Sequence, residues 1–281
     1  MSNGIVSSIT KMGSFEPFDL QVSRGQILGH SLFNLFGYGT TAASANVFYP
    51  AWENNATNYV FPSSAITMYL ASTVSGDSGA LIQISGLDGN YNPISEILAL
   101  GGTAGTGVAT VNSYYRINNI QVALTSSANP TGVITLQNQA ATSGATEYAQ
   151  INTATLNGST VSAGTSQMSV YTVPAGYGLY LSRFTANTSF TGNTTNYATY
   201  RAVAQYPSAL NTSATLIKRV ILQTPISGAE FNIQRQYPFF YPSGTDIVWQ
   251  VAPSVATAVT VGINIGGVLV QNNNNSTVYG G

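Results

Sequence analysis

Few side chains in this 281-residue sequence could do covalent or acid–base chemistry: one histidine, His30, no cysteine and nine acidic residues. The run Gly76-Asp77-Ser78-Gly79 presents a serine on a small-residue turn. A nucleophilic serine needs a base to take its proton and an acid to orient that base. The base could only be His30, and outside the run the one acid between His30 and Ser78 is Glu53. Ala80 stands where a further glycine would complete the nucleophile pattern. Asp, Ser and Gly are also ordinary turn formers, so the run reads as a turn.

The remaining reactive constellations are as thin. A metal centre at His30 would need a second histidine or a thiolate, and the chain has neither, so no metal and no cofactor is expected. Glycoside hydrolysis needs two carboxylates facing one sugar. Asp77, Asp88, Glu96, Glu147, Glu230 and Asp246 are scattered along the chain as isolated turn and rim carboxylates. Asp88-Gly89-Asn90 offers oxygens but no complete calcium loop. Large rings gather in Tyr237-Pro238-Phe239-Phe240-Tyr241-Pro242 and at Trp249. Aromatic faces stack on sugars, anchor protein interfaces or fill cores, and strand alternation must bury about half of them. Core packing therefore takes the larger share and a contact surface the smaller. Arg24 and Arg116 are the expected polar anchors, at an interface or between strands.

Composition narrows the classes further. Charged residues make up only 6% of the chain, against about 25% in an average soluble protein, so solubility rests on Asn, Gln, Ser and Thr. Such a surface suits permanent packing, where few charges need desolvation. A net charge of −1 and a single adjacent basic pair, Lys218-Arg219, give no phosphate-tracking groove, so no nucleic acid is expected. No apolar run nears the ~20 residues of a membrane span. The first fifteen residues lack the basic start and apolar centre of a secretory signal. Seven Asn-x-Ser/Thr sequons, among them Asn187, follow from composition.

The elements that must carry these residues are strands. Residues 79–119 hold an apolar strand at 81–84, a Gly-Leu-Asp-Gly-Asn turn at 86–90, and apolar runs at 94–100 and 108–117. Strand-sized runs spaced about ten residues apart, parted by Gly, Asn, Pro and Ser, are the pattern of a sandwich or barrel. Residues 21–38 read as two short strands, and no amphipathic helix is expected anywhere. Pro174-Ala175-Gly176 marks a corner, and Val259, Val261, Ile263 and Ile265 alternate with polar residues in the cleanest strand. The expected fold class is all-β, with two β-sandwich or jelly-roll-like domains. The expected divisions are an extended N-terminal arm at 1–20, a sandwich at 21–142, a jelly-roll-like domain at 143–271 and a polar tail at 272–281.

Three stretches carry a resemblance. They are Phe18-Asp19-Leu20-Gln21-Val22-Ser23-Arg24-Gly25 through Gly29-His30, Tyr59-Val60-Phe61-Pro62-Ser63, and Gly86 through Glu96 closed by residues 112–118. Together they resemble virion proteins of tailed bacteriophages, particularly marine ones, over residues 15–140. The second half resembles jelly-roll-like modules of phage particles through residues 173–176 and 242–246. The resemblance implies a non-enzymatic structural role at the virion, first as a capsid decoration or cement component. It implies homo-oligomers, with a trimer favoured, and the major capsid protein or other virion proteins as partners. The alternative is a tail- or fibre-associated module binding a host-surface glycan through Tyr237, Phe239 or Trp249.

Overall fold

The computed structural model describes residues 16–54, 58–126, 129–156, 158–189, 196–206, 217–226 and 231–272. It opens with a short helix, α1 (Phe18–Ser23), which Gly25 ends at a φ of +68°. The strands that follow are β1 (His30–Thr40), β2 (Tyr49–Pro50), β3 (Ile66–Ser72), β4 (Leu81–Leu87), β5 (Pro93–Ala99) and β6 (Val108–Tyr114). Next come β7 (Arg116–Val122), β8 (Ile134–Gln137), β9 (Glu147–Ile151), β10 (Thr153–Leu156), β11 (Ser159–Ser162) and β12 (Val170–Thr172). The chain continues through β13 (Tyr177–Ser189), β14 (Ala198–Tyr206), β15 (Ile217–Ile226), β16 (Phe231–Tyr241), β17 (Asp246–Pro253) and β18 (Thr260–Gln271). The fold is all-β, and the strand pairings are antiparallel.

The strands enclose two cores. One lies between the sheet β1-β18-β13-β16 and the sheet β12-β17-β14-β15, in which β2 also pairs with β17. Along β17, Val251 and Gln250 pair with Tyr49 and Pro50, and Val248 to Asp246 pair with Val170 to Thr172. β2 and β12 are thus two halves of one edge strand. With that strand counted once, the connectivity is that of a jelly roll, two facing four-stranded sheets joined as Greek keys. Its core is rich in rings, including Phe33, Phe184, Tyr200, Tyr241 and Trp249.

The second core belongs to the chain inserted between the two half-strands. Sheets β6-β3-β8-β9 and β5-β4-β7 enclose Met68, Leu70, Ile82, Ile84, Ile117, Ile120, Ile134 and Leu136. Most of these branched chains are fully buried, and each stabilises the lobe by about 1.5–3 kcal/mol relative to exposure. Alternation does the sorting: in β4, Ile82 and Ile84 point inward while Leu81, Gln83 and Ser85 are half-buried.

Several expectations change. Residues 21–38 form α1 and one long strand, because β1 has β18 to pair with along its full length. The apolar run 108–117 breaks at Tyr115, and its halves, β6 and β7, enter opposite sheets. The expected division at residue 142 falls between β8 and β9, which are hydrogen-bonded neighbours. β1 and β2, from the expected first domain, belong to the jelly roll. Most of the expected arm, residues 1–15, and the tail beyond residue 272 lie outside the described residues.

Candidate functional site

The chemistry-bearing residues that the fold does bring together form a joint between the sandwiches. Arg116 is the first residue of β7, in the inserted lobe, and Asp246 the first of β17, in the jelly roll; each side chain is 2% exposed. Arg116 Nε and Nη2 donate to the two oxygens of Asp246, both at 2.8 Å. Nη1 donates to the carbonyls of Pro62 (3.0 Å) and Tyr115 (2.8 Å). Only a planar guanidinium presents donors in a fork that fits a carboxylate and two carbonyls at once. The rings of Tyr115 and Phe61 lie 3.9 and 4.8 Å from its centre. Burial would lower the Arg116 pKa, but Asp246 outweighs it and holds the pKa above its ordinary value.

Asp246 is completed from its own lobe, where the Thr172 hydroxyl donates to Oδ1 at 2.6 Å. Beside the ion pair, Asn118 of β7 pairs with the Thr172 backbone. Its Nδ2 donates to the carbonyl at 3.1 Å and its Oδ1 accepts the amide at 2.9 Å. The Ala175 amide donates to the Tyr91 carbonyl at 2.7 Å, so the Pro-Ala-Gly corner also touches the insert. These contacts satisfy the charges they bury, the condition for burying charge at all.

The second attachment is the split strand itself. The Ser169 amide donates to the Ala51 carbonyl at 2.9 Å, so the chain leaves the jelly roll and returns at adjacent points. Trp249 serves both ends: its amide donates to the Ser169 carbonyl (3.0 Å), and its carbonyl accepts the Ala51 amide (3.2 Å) and the Ser169 hydroxyl (2.7 Å). Gly37 of β1 lies so close that a Cβ there would sit 2.5 Å from the Ala51 oxygen and from the Ser169 Cβ. One residue into the insert, Trp52 is buried, and Glu53 accepts the amides of Gln167 (2.8 Å) and Asn152 (3.3 Å). Burial outweighs those two hydrogen bonds and pushes the Glu53 carboxyl up to about 8.

The other reactive groups serve the fold locally. Asp77, in the 3₁₀ turn Ser75–Asp77, accepts hydrogen bonds from the Ser72 hydroxyl (2.5 Å) and the amides of Thr131 (2.8 Å) and Gly132 (3.0 Å). Burial raises its carboxyl, but these bonds outweigh it and hold the pKa below the ordinary aspartate value. His30 lies in the jelly roll with its ring nitrogen 3.0 Å from the Leu28 carbonyl, while Ser78 is an exposed residue of the insert. Asp88 caps its own turn, accepting the amides of Asn90 (2.8 Å) and Asn92 (2.9 Å). Among the described residues no cluster of three or more His, Cys, Asp or Glu could hold a metal ion, and no helix is long and apolar enough to cross a membrane. A cavity of about 30 Å³ inside the jelly roll, lined by Phe184, Trp249 and Phe239, has room for water and no more.

The residues singled out in the sequence are thus dispersed. Arg116 is a buried anchor. Arg24 is exposed on the turn after α1 and pairs with Glu16. Trp249 is 3% exposed in the jelly-roll core, so its face is not available to a sugar. Tyr237 is 79% exposed, where β16 bulges between Gln234 and Phe239. Phe239 packs against the core beneath Arg235, and Phe240 lies 5.0 Å from Tyr180 on the outer face. Sequence reasoning missed Asp246 as the partner of Arg116, missed Thr172 and Ser169, and weighed Glu53 only as a catalytic acid, whereas it binds the Gln167 and Asn152 amides. The available signal was scarcity: in so uncharged a chain, a lone acid opening an apolar strand after Pro-Ser-Gly-Thr needs a cation.

No family model matches the sequence, and no curated protein matches it. Among solved structures, the chain is similar to the infectious bursal disease virus VP2 subviral particle, at 10% identity and a TM-score of 0.24, covering 88% of this chain and 73% of that one. The T=1 particles derived from the same virus give 10% identity, 0.24, and 88% and 71% coverage. The Gx strain gives 11%, 0.24, and 88% and 74%. A superposition this loose carries no argument about function.

Proposed function

We propose that this protein is a non-enzymatic structural component of a virus particle, in which each sandwich is a packing unit and the pair acts as one rigid block. The observation that carries the reading is the double attachment of the insert, by a split jelly-roll strand and by the buried Arg116–Asp246 pair. A block whose one buried ion pair among the described residues holds two lobes together is suited to repeated packing. Its low charge content suits interfaces that must be desolvated. Jelly rolls occur in viral capsid and lectin domains among others, so this analogy rests on fold alone. The sequence resemblance over residues 15–140 favours a tailed phage, with decoration or cementing of the capsid as the first position and a homotrimer as the first assembly.

Immunogold labelling of virions made from the genome encoding this chain tests the reading. Dense label over the head supports the decoration role. Label confined to the tail replaces it with the tail- or fibre-associated role. Unlabelled particles, with the antibody detecting denatured protein, overturn the virion assignment. Light scattering after gel filtration reads the oligomer, and a mass of one 29.4 kDa chain at micromolar concentration sinks the trimer.

A further inference from the structure

The outer face of the sheet β1-β18-β13-β16 carries an arrangement that neither core nor joint uses. Register places Asn34, Phe36 and Tyr38 of β1 opposite Gly266, Asn264 and Gly262 of β18, and these opposite Arg183, Thr185 and Asn187 of β13. Phe33 and Leu35 turn inward, so this second set faces out. The rings of Phe36 and Tyr38, 43% and 44% exposed, lie nearly parallel at 11° with centroids 6.5 Å apart. Beside those rings the glycines of β18 let side chains of β13 lie across the strand. The Asn187 amide fills the space where a Gly262 Cβ would stand, and a Gly266 Cβ would lie 3.1 Å from Nε and Nη2 of Arg183. Between them Asn264 Oδ1 is buried without a hydrogen-bond partner among the described residues. Among the described residues Arg183 has no carboxylate partner. The next row, Leu32, Val268, Tyr180 and Phe240, closes the far end with an apolar sill.

We propose that this outer face binds an acidic glycan. The C–H face of a pyranose is apolar with partly positive hydrogens, and it settles on the negative faces of the Phe36 and Tyr38 rings. Side-chain amides can both donate and accept, as sugar hydroxyls require, and Asn187 is exposed beside the rings. The guanidinium of Arg183, without a carboxylate partner among the described residues, matches a sugar carboxylate in charge and in planar shape. A protein partner would want an apolar centre with a polar rim, whereas here the centre is polar. The site is separate from Tyr237 and Trp249, and it stands or falls independently of the virion assignment.

Affinity electrophoresis of the full chain tests it, in native gels containing polygalacturonate, alginate or hyaluronate, with dextran and polyglutamate as controls. The expected result is retardation by at least one acidic polysaccharide and by neither control. Phe36→Ala and Tyr38→Ala should each weaken it roughly tenfold, and Arg183→Gln by a similar factor, the scale of one charge-assisted hydrogen bond. Tyr237→Ala should bind like the parent, and every variant should keep the β-sheet circular dichroism spectrum. Unchanged mobility with all three acidic polysaccharides overturns the proposal. So does equal retardation by polyglutamate, which would reduce it to bare charge, or full retardation of a folded Phe36→Ala/Tyr38→Ala double variant.

Discussion

The two sandwiches solve the same burial problem by opposite routes. The insert is built from neighbours: β4 and β5 form a hairpin around the Asp88 turn, and β8 pairs with β9. The jelly roll adds to its one pairing of successive strands, β14 with β15, partners far apart in the chain: His30 pairs with Val270 and Thr40 with Thr260. Both cores are mainly aliphatic, and the jelly roll's carries the larger share of rings. Local pairing costs less loop-closure entropy, so the insert can close early. Its closure sets Ala51 beside Ser169 and completes the edge strand that the jelly roll lacks. The lobe that looks like an interruption brings together the two halves of its host's edge strand.

The sharpest way to break that coupling is Arg116→Ala, which leaves Asp246 buried without its cation. The expected cost is about 3–5 kcal/mol. Calorimetry should show the parent unfolding in one transition and the variant in two, and a single transition in both would refute coupling through the ion pair. Core truncations then assign the two transitions. In the Arg116→Ala background, Ile84→Ala should lower only the insert's transition, by about 2–5 kcal/mol. Trp249→Ala should lower only the jelly roll's, by about 3–5 kcal/mol. Parallel shifts of both would mean that the lobes share one cooperative unit.

A smaller effect comes from pH, with opposite signs at two acids. Glu53 holds its proton up to about 8 in the folded chain but releases it near 4.5 when unfolded. Between those values the folded state binds more protons, so stability falls as pH rises through the window. Asp77 runs the other way: its depressed pKa contributes stability above about pH 4, lost on further acidification. Denaturant titrations of Glu53→Gln from pH 5 to 8 should give a flatter profile than the parent, and identical slopes would exclude Glu53 as the source. The smallest effect belongs to Arg24→Ala. Its pair with Glu16 is largely exposed, so the change should stay within about 0–1 kcal/mol.

Strands were legible in the sequence wherever alternation or a turn residue marked them. Residues 259–265 announce β18, and the Asp-Gly-Asn turn announces the hairpin of β4 and β5. Their partners were not legible, because nothing local in residues 30–40 points to a strand 220 residues away. The same reason hid the joint. Arg116 stood out as one of eight basic residues, yet its match to Asp246 depends on β7 and β17 meeting at their first residues. Tyr115 breaks a run that reads as continuous, since a change of sheet leaves no mark on hydrophobicity. Trp249 shows the converse limit: ring type suggests contact, and only the sandwich decides that its face is closed.

The split edge strand also has a mechanical meaning. A lobe on a single linker can swivel about it, whereas two chain segments side by side, bonded to each other and both to Trp249, act like a strap with two rivets. Twisting the insert must shear backbone hydrogen bonds at both ends together, and the Arg116–Asp246 pair adds a third fixed point off that axis. Three points not in line define a plane, so torque on the insert passes into the ladder of β17 with little loss to rotation.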